Sequence, residues 1–352
     1  MQEPNVTFLK QLLSTPAPSG AEAPAAQVWR NEARTFADEV YADVQGNSYA
    51  VLHGNSVRIL LAGHIDEIGI MISHIDDEGY LYFQPIGGWD AQVFVGQRVL
   101  LLGVPGEVCG VIGKKPIHLM KTEERDVASK VDTLWIDIGV QNRSEAEAQV
   151  QVGTVGVLDA PIKEFPHGRI VSRSIDNRIG AFTVLETLRL LAQDRPSTTV
   201  AAVATTGEET TFAGATAAAY RFEAHLAIAV DVTYATDHPD SNKRKDGDVR
   251  LGGGPVLARG AANMPLVYAR LLNLAQEHSI PYTLQITPRY TGTDADAMQS
   301  VRGGIATGVV SIPNRYMHSP NEMIQLSDVA YAAQLIATFV RSVQDLDEFI
   351  PH

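Results

Sequence analysis

The stretch Val57-Arg58-Ile59-Leu60-Leu61-Ala62-Gly63-His64-Ile65-Asp66 decides how this chain is read. The apolar run Val57–Ala62 has the texture of a buried strand, and it ends abruptly in an imidazole and a carboxylate. Three later runs repeat the pattern. Val200–Ala204 leads to Glu208 and Glu209, Leu226–Val230 ends at Asp231, and Ile305–Ile312 leads through a loop to His318. Runs that are apolar on both faces are what parallel strands buried between helices require. The carboxyl ends of such strands are the edge at which open α/β sheets bind ligands.

Outward from these runs, residues 5–42, Arg178–Ala192, Met264–His278 and Leu326–Leu346 read as helical. In the first of these, Phe8, Leu9, Leu12 and Leu13 recur at helical spacing. Between about residues 70 and 165 the texture changes. Short alternating segments (Tyr80–Phe83, Arg98–Leu102, Gly106–Ile112) are punctuated by glycine, as in a small β-barrel or β-sandwich. The chain is therefore expected to be α/β. One discontinuous domain would consist of residues 1–70 and 166–352, interrupted by a β-rich insertion over 71–165.

Each polar residue has an ordinary explanation when taken alone. Asp176, in Ser174-Ile175-Asp176-Asn177-Arg178, stands where a helix N-cap belongs. Glu208-Glu209 reads as a solvated loop pair, and His318 as a hydrogen-bonded structural histidine. Capping and solvation do not predict acids and imidazoles on successive strand ends. Two histidines and several carboxylates converging without cysteine make a site suited to Zn²⁺, Co²⁺ or Mn²⁺. His74-Ile75-Asp76 copies the spacing of His64-Ile65-Asp66 but runs into Asp76-Asp77-Glu78-Gly79, a hairpin-turn sequence. It is assigned to the turn.

The composition narrows the field. With 352 residues, about two domains are expected. The net charge of −13 argues against nucleic acid or an anionic membrane as partner. A single cysteine, Cys109, excludes an intrachain disulfide and fits a cytoplasmic location. The N-terminus lacks signal-peptide features, and no apolar run approaches the ~20 residues of a membrane span.

A set of segments in fixed order is more specific. It comprises Gly63-His64-Ile65-Asp66-Glu67-Ile68-Gly69, Ile86-Gly87-Gly88-Trp89-Asp90, Gly113-Lys114-Lys115-Pro116-Ile117-His118, Asp176-Asn177-Arg178, Glu208-Glu209, Asp231-Val232-Thr233 and Arg315-Tyr316-Met317-His318-Ser319-Pro320. Through them the chain resembles the tetrahedral (TET) dinuclear-metal aminopeptidases, the glutamyl and deblocking type, some of which carry an endoglucanase label. The resemblance runs from about residue 57 to 340. It implies a zinc-peptidase-like three-layer α/β/α domain with an inserted PDZ-like barrel that pairs subunits, dimers then building a dodecamer. It implies two divalent ions, one held by His64 and Asp231, the other by Glu209 and His318, with Asp176 bridging. Glu208 would be the general base. Asp66, counted with the catalytic residues, would accept the second N–H of His64. Short peptides would be the substrates.

The chain departs from the family pattern at Thr210-Thr211-Phe212-Ala213-Gly214, where Val-Gly usually follows the two acids. Asp294, in Tyr290-Thr291-Gly292-Thr293-Asp294, is either a substrate-pocket residue or a turn aspartate. Two rival functions stand beside the aminopeptidase. A glycoside hydrolase needs two carboxyl groups and usually no metal. A non-catalytic scaffold would show a lost ligand or base, and positions 64, 176, 208, 209, 231 and 318 all carry competent residues.

Overall fold

A computed structural model describes residues 3–351. The stretch 5–42 is not one helical region. It folds as α1 (Val6–Ser14), α2 (Ala23–Ala33) and a strand, β1 (Glu39–Ala42). Asn5 caps α1 by accepting the Phe8 N–H, and Phe8, Leu9, Leu12 and Leu13 are its buried face. Pro16, Pro18 and Gly20 (φ +89°) then stop helix continuation. β1 has no buried residue, so no apolar run marks it, and it is held by antiparallel pairing with β2 (Ser48–Leu52).

After β3 (Arg58–His64) come β4 (Gly69–Ile75), β5 (Leu81–Ile86), β6 (Arg98–Gly103), β7 (Gly106–Gly113), β8 (Trp135–Asp137) and β9 (Val155–Leu158). These six close into an antiparallel barrel in the order β4-β5-β8-β7-β6-β9. It has its own core of Ile70, Ile72, Phe83, Phe94, Leu101 and Ile136 among others. The alternating pattern was the legible signal, since inward residues of a small barrel fill its interior. Asp76–Gly79 is the β4–β5 turn. The Gly79 N–H donates to the Asp76 carbonyl, and the Tyr80 N–H to Asp76 Oδ1.

The chain continues with β10 (Lys163–Phe165), β11 (Arg169–Ser172), α3 (Ile175–Gln193), β12 (Thr199–Thr205), α4 (Ala213–Phe222), β13 (Leu226–Tyr234) and β14 (Val256–Gly260). It ends with α5 (Pro265–Glu277), β15 (Thr283–Thr287), α6 (Asp294–Met298), β16 (Ala306–Asn314), β17 (Glu322–Gln325) and α7 (Leu326–Ser342). The main sheet has eight strands in the order β1-β2-β12-β3-β13-β16-β14-β15, with β12, β3, β13 and β16 mutually parallel at its centre. β10, β11 and β17 form a separate three-stranded sheet.

The alternation of side chains along a strand sorts the two faces. Leu61, Ala202 and Val230 pack with the core under α1, α2, α3, α5 and α7, while Leu60, Ala201 and Ala229 pack with residues of α4 and α6. This is a three-layer α/β/α domain carrying a barrel. Gly63 and Gly180 let α3 lie directly on the sheet. A Cβ on Gly63 would overlap the Gly180 backbone, and one on Gly180 would overlap the Val230 carbonyl. That close approach brings the start of α3 beside the ends of β3 and β13. Among the described residues no helix is long and apolar enough to cross a membrane.

Candidate metal centre

The parallel strands deliver their polar ends to one sheet edge. His64 is the last residue of β3, and its register partner on β12 is Thr205. Two residues later Gly207 adopts φ +67°, which turns the chain and presents Glu208 and Glu209. Asp231 lies in β13 opposite Ser311 of β16. Asp176 enters from the first turn of α3, where its φ/ψ are non-helical and the Asp176–Asn177 peptide is cis. Asn177 donates to the Val230 carbonyl and accepts the Gly180 N–H. His318 stands in the loop between β16 and β17 with φ +57°.

All six side chains converge. His64 Nε2 lies 3.4 Å from Asp176 Oδ1, 3.5 Å from Glu208 Oε2 and 3.9 Å from Asp231 Oδ1. His318 Nε2 lies 3.3 Å from Asp176 Oδ2 and 3.6 Å from Glu209 Oε2. Asp176 thus offers one oxygen to each imidazole, and the two adjacent glutamates reach opposite halves of the cluster. Two triads have ligand atoms within 4.8 Å of one another: His64, Asp176, Glu209 and His64, Glu208, Asp231.

Asp66 does more than face His64. Its Oδ1 is 3.4 Å from His64 Nδ1, and the Asp66 carbonyl is 3.3 Å from the same nitrogen. Its two carboxylate oxygens also accept the backbone N–H groups of Glu208 (3.3 Å) and Glu209 (3.2 Å), and the Ser19 hydroxyl donates to it at 2.6 Å. Asp66 therefore fixes the loop that carries both glutamates.

Glu322, at the start of β17, escaped the sequence reading. It is buried, and its carboxylate accepts the Asp176 N–H at 2.9 Å and the His318 N–H at 3.0 Å. Its only sequence trace is an acid four residues after His318, just before the last helical stretch. The Gly88 carbonyl sits 2.6 Å from His318 Nδ1, which leaves Nε2 for the centre. Glu322→Ala removes the brace on two candidate ligands at once. It is expected to weaken divalent-ion affinity by about 10–100-fold, as measured by calorimetric titration of the chelated protein.

The electrostatics call for cations. Burial, followed by repulsion from Asp231 and Asp294 against the attraction of His64, pushes the Glu208 carboxyl up to about 10. Burial and the Asp176 charge raise Glu209 to about 8, and burial also raises Asp231. His64 is held well above its ordinary value, because Glu208, Asp176 and Asp66 outweigh the burial that opposes its charge. Hydrogen bonding to Asp176 is the main reason His318 rises to about 9. Protons here stand in for positive charge in a crowd of acids, and Glu209 Oε1 is buried with no hydrogen-bond partner. Nitrogen and oxygen ligands about 2.1 Å from an ion lie roughly 3.4 Å apart in tetrahedral geometry. The observed separations fit that spacing, and the imidazole–carboxylate donor set suits Zn²⁺, Co²⁺ or Mn²⁺.

The cluster opens into a cavity of about 530 Å³. Gly88 of the barrel segment, Thr210, Phe212, Val232, Tyr234 and Met317 are part of its wall, as are Tyr290 to Thr293. Asp294 is not on that wall. It is 2% exposed and accepts the Thr205 hydroxyl behind the site. A larger cavity of about 820 Å³, with His225, Ile305 and Phe349 in its wall, lies at the opposite edge of the sheet and shares no residue with the cluster.

Comparisons with known proteins identify the family and the fold. Residues 46–335 match the family of M42 glutamyl aminopeptidases. The chain is 32% identical over 344 residues to a lysyl aminopeptidase of Pyrococcus furiosus, covering 97% of this chain and 98% of that one. A TET aminopeptidase from a marine-sediment thaumarchaeon superposes with a TM-score of 0.93 at 31% identity, covering 98% of this chain and 97% of the other. The TET1 peptidase of Pyrococcus horikoshii, which can assemble into a tetrahedron or a large octahedral shell, superposes with a TM-score of 0.86 at 27% identity, covering 96% and 99%. With its family match, its near full-length relative and a clustered imidazole–carboxylate site at the sheet edge, the chain belongs to the M42 glutamyl aminopeptidase family.

Proposed function

We propose that the chain is a dinuclear metal-dependent aminopeptidase that removes the first residue of short peptides. The observation that carries this reading is the placement of His64 Nε2 and His318 Nε2 at 3.4 Å and 3.3 Å from different oxygens of one carboxylate, Asp176. His64 and Asp231 would hold one ion and Glu209 and His318 the other, with Asp176 shared. When bound, two divalent cations supply Lewis acidity toward a carbonyl and acidify water.

The remaining work falls to side chains. Glu208 Oε2 takes a proton from the attacking water and delivers it to the nitrogen of the departing amine. Asp66 keeps Glu208 in place through its backbone N–H and orients His64. The Gly88 carbonyl and Glu322 hold His318 with Nε2 turned inward. The free α-amine of the peptide would be held beside the centre, which limits cleavage to the terminal bond.

The test is hydrolysis of aminoacyl-p-nitroanilides before and after chelation, and again with Zn²⁺, Co²⁺ or Mn²⁺ restored. Activity is expected to be lost on chelation and to return with metal. Chelator-resistant cleavage of a β-glucan would replace this reading with a glycosidase. Metal binding without any aminoacyl cleavage would replace it with a scaffold.

The barrel, with the surrounding residues 71–165, would pair subunits, and dimers would build a dodecamer working in the cytoplasm. The support is the likeness to the shell-forming TET1 peptidase and a separate barrel core. Light scattering is expected to give a multiple of the 38.1 kDa chain mass, and a stable single-chain species would reject the assembly.

A further inference from the structure

We infer that this site takes a large neutral side chain, apolar or aromatic, on the first residue of its substrate, and rejects acidic and basic ones. The inference rests on the aminopeptidase reading and deepens it. Its ground is the cavity wall beyond the cluster. Phe212 and Met317, both half-buried, supply apolar surface, and the aromatic residues Tyr234 and Tyr290 are 64% and 73% exposed. Among the described residues no Lys or Arg lines the cavity, so a carboxylate on the first residue would enter an acid-rich cavity with no cation to pair it beyond those engaged at the centre. Like charges brought together across an interface are strongly disfavoured.

A basic side chain fares no better. Every carboxylate on the wall belongs to the metal cluster. The adjacent Asp296 is already engaged, accepting the N–H groups of Thr291 and Gly292 and the Thr291 hydroxyl, which shapes the 291–293 wall. Thr233, also on the wall, donates to Gln285 Oε1 at 2.8 Å, so this part of the wall is a neutral pair. Phe212 is the aromatic residue of the loop that follows the two glutamates. It sits at φ +57° just before α4, inside the segment that departs from the family's usual Val-Gly.

Two readouts separate this inference from the function beneath it. The first is kcat/KM of the metal-loaded protein for Leu-, Met-, Phe-, Glu-, Asp-, Lys- and Arg-p-nitroanilides. The second is calorimetric affinity for the hydroxamates of leucine, phenylalanine, glutamate and lysine. Leu, Met or Phe is expected to exceed Glu and Lys by about 100-fold in kcat/KM, and the hydroxamates to follow the same order. A Glu or Lys substrate equal to or better than Leu overturns the inference. If nothing is hydrolysed, the peptidase reading falls, and the hydroxamate order alone decides the pocket: neutral over charged supports it, the reverse overturns it. Thr210→Lys places a cation at an exposed wall position and is expected to raise the Glu:Leu ratio by at least about tenfold. Phe212→Ala is expected to raise KM for Leu and Phe about tenfold, and unchanged KM would remove Phe212 from the pocket.

Discussion

Glu208→Gln is expected to lower kcat by about 10²–10⁴ while leaving the metal content of the chain unchanged. General acid–base assistance contributes about that factor, and an amide cannot accept the proton of the attacking water. The structure makes this substitution decisive, because Glu208 also stands within ligand distance of a triad with His64 and Asp231. Elemental analysis of the reconstituted variant separates the two roles. A general base leaves the metal content unchanged, whereas a ligand takes an ion with it. Loss of one ion would move Glu208 into the coordination set and end its assignment as the base. The neighbouring Glu209 gives the contrast. It reaches His318 at 3.6 Å, and its replacement is expected to lose metal.

The second large effect is on stability. Glu67 is buried and pairs with Arg173 and with Arg178, whose Nη2 lies 2.7 Å from Glu67 Oε1. Arg178 is fully buried and donates to the carbonyls of Ile65 and of Leu12 at the end of α1, so it ties that helix terminus to the residue after His64. Glu67→Gln removes the charge that two buried guanidinium groups share. Leaving buried charges uncompensated costs about 3–5 kcal/mol, read as a lower urea midpoint in chelated protein so that metal binding does not contribute.

The pH dependence has a definite sign. Burial alone would raise the Glu67 carboxyl, but Arg173 and Arg178 outweigh it and hold it below the ordinary value. Its stabilisation is therefore present above the unfolded pKa of about 4.3 and is lost as pH falls through the lower folded value. Wild-type stability should decline across that acidic window, and Glu67→Gln should lack this component. An unchanged acid profile in the variant would show that the arginines find other partners.

Much of this was legible in one dimension, and some was misread. Apolar runs marked β3, β12, β13 and β16 because a strand buried on both faces needs them, and the polar residues at their ends marked the site. Residues 5–42 were misread because β1 is exposed and its evidence lies in its pairing with β2. Asp294, which the sequence left between a pocket residue and a turn aspartate, is buried off the cavity wall and accepts the Thr205 hydroxyl across 89 positions.

Local pattern thus carried the α/β class, the barrel and the strand-end placing of His64, Glu208, Glu209, Asp231 and His318, since strand burial and residue type are properties of short segments. Asp176 read locally as a helix cap. Only the tertiary structure decided how those side chains approach one another. The contacts responsible join Asp66 to Glu208, Asp176 to Glu322 and His318 to Gly88 across 142, 146 and 230 positions. Hydrogen-bond acceptors such as the Gly88 carbonyl have no residue signature, because every residue has a backbone carbonyl. Their positions are set by the packing of α3 on the sheet and by the Gly87–Gly88 segment after β5, which reaches Glu209 and His318.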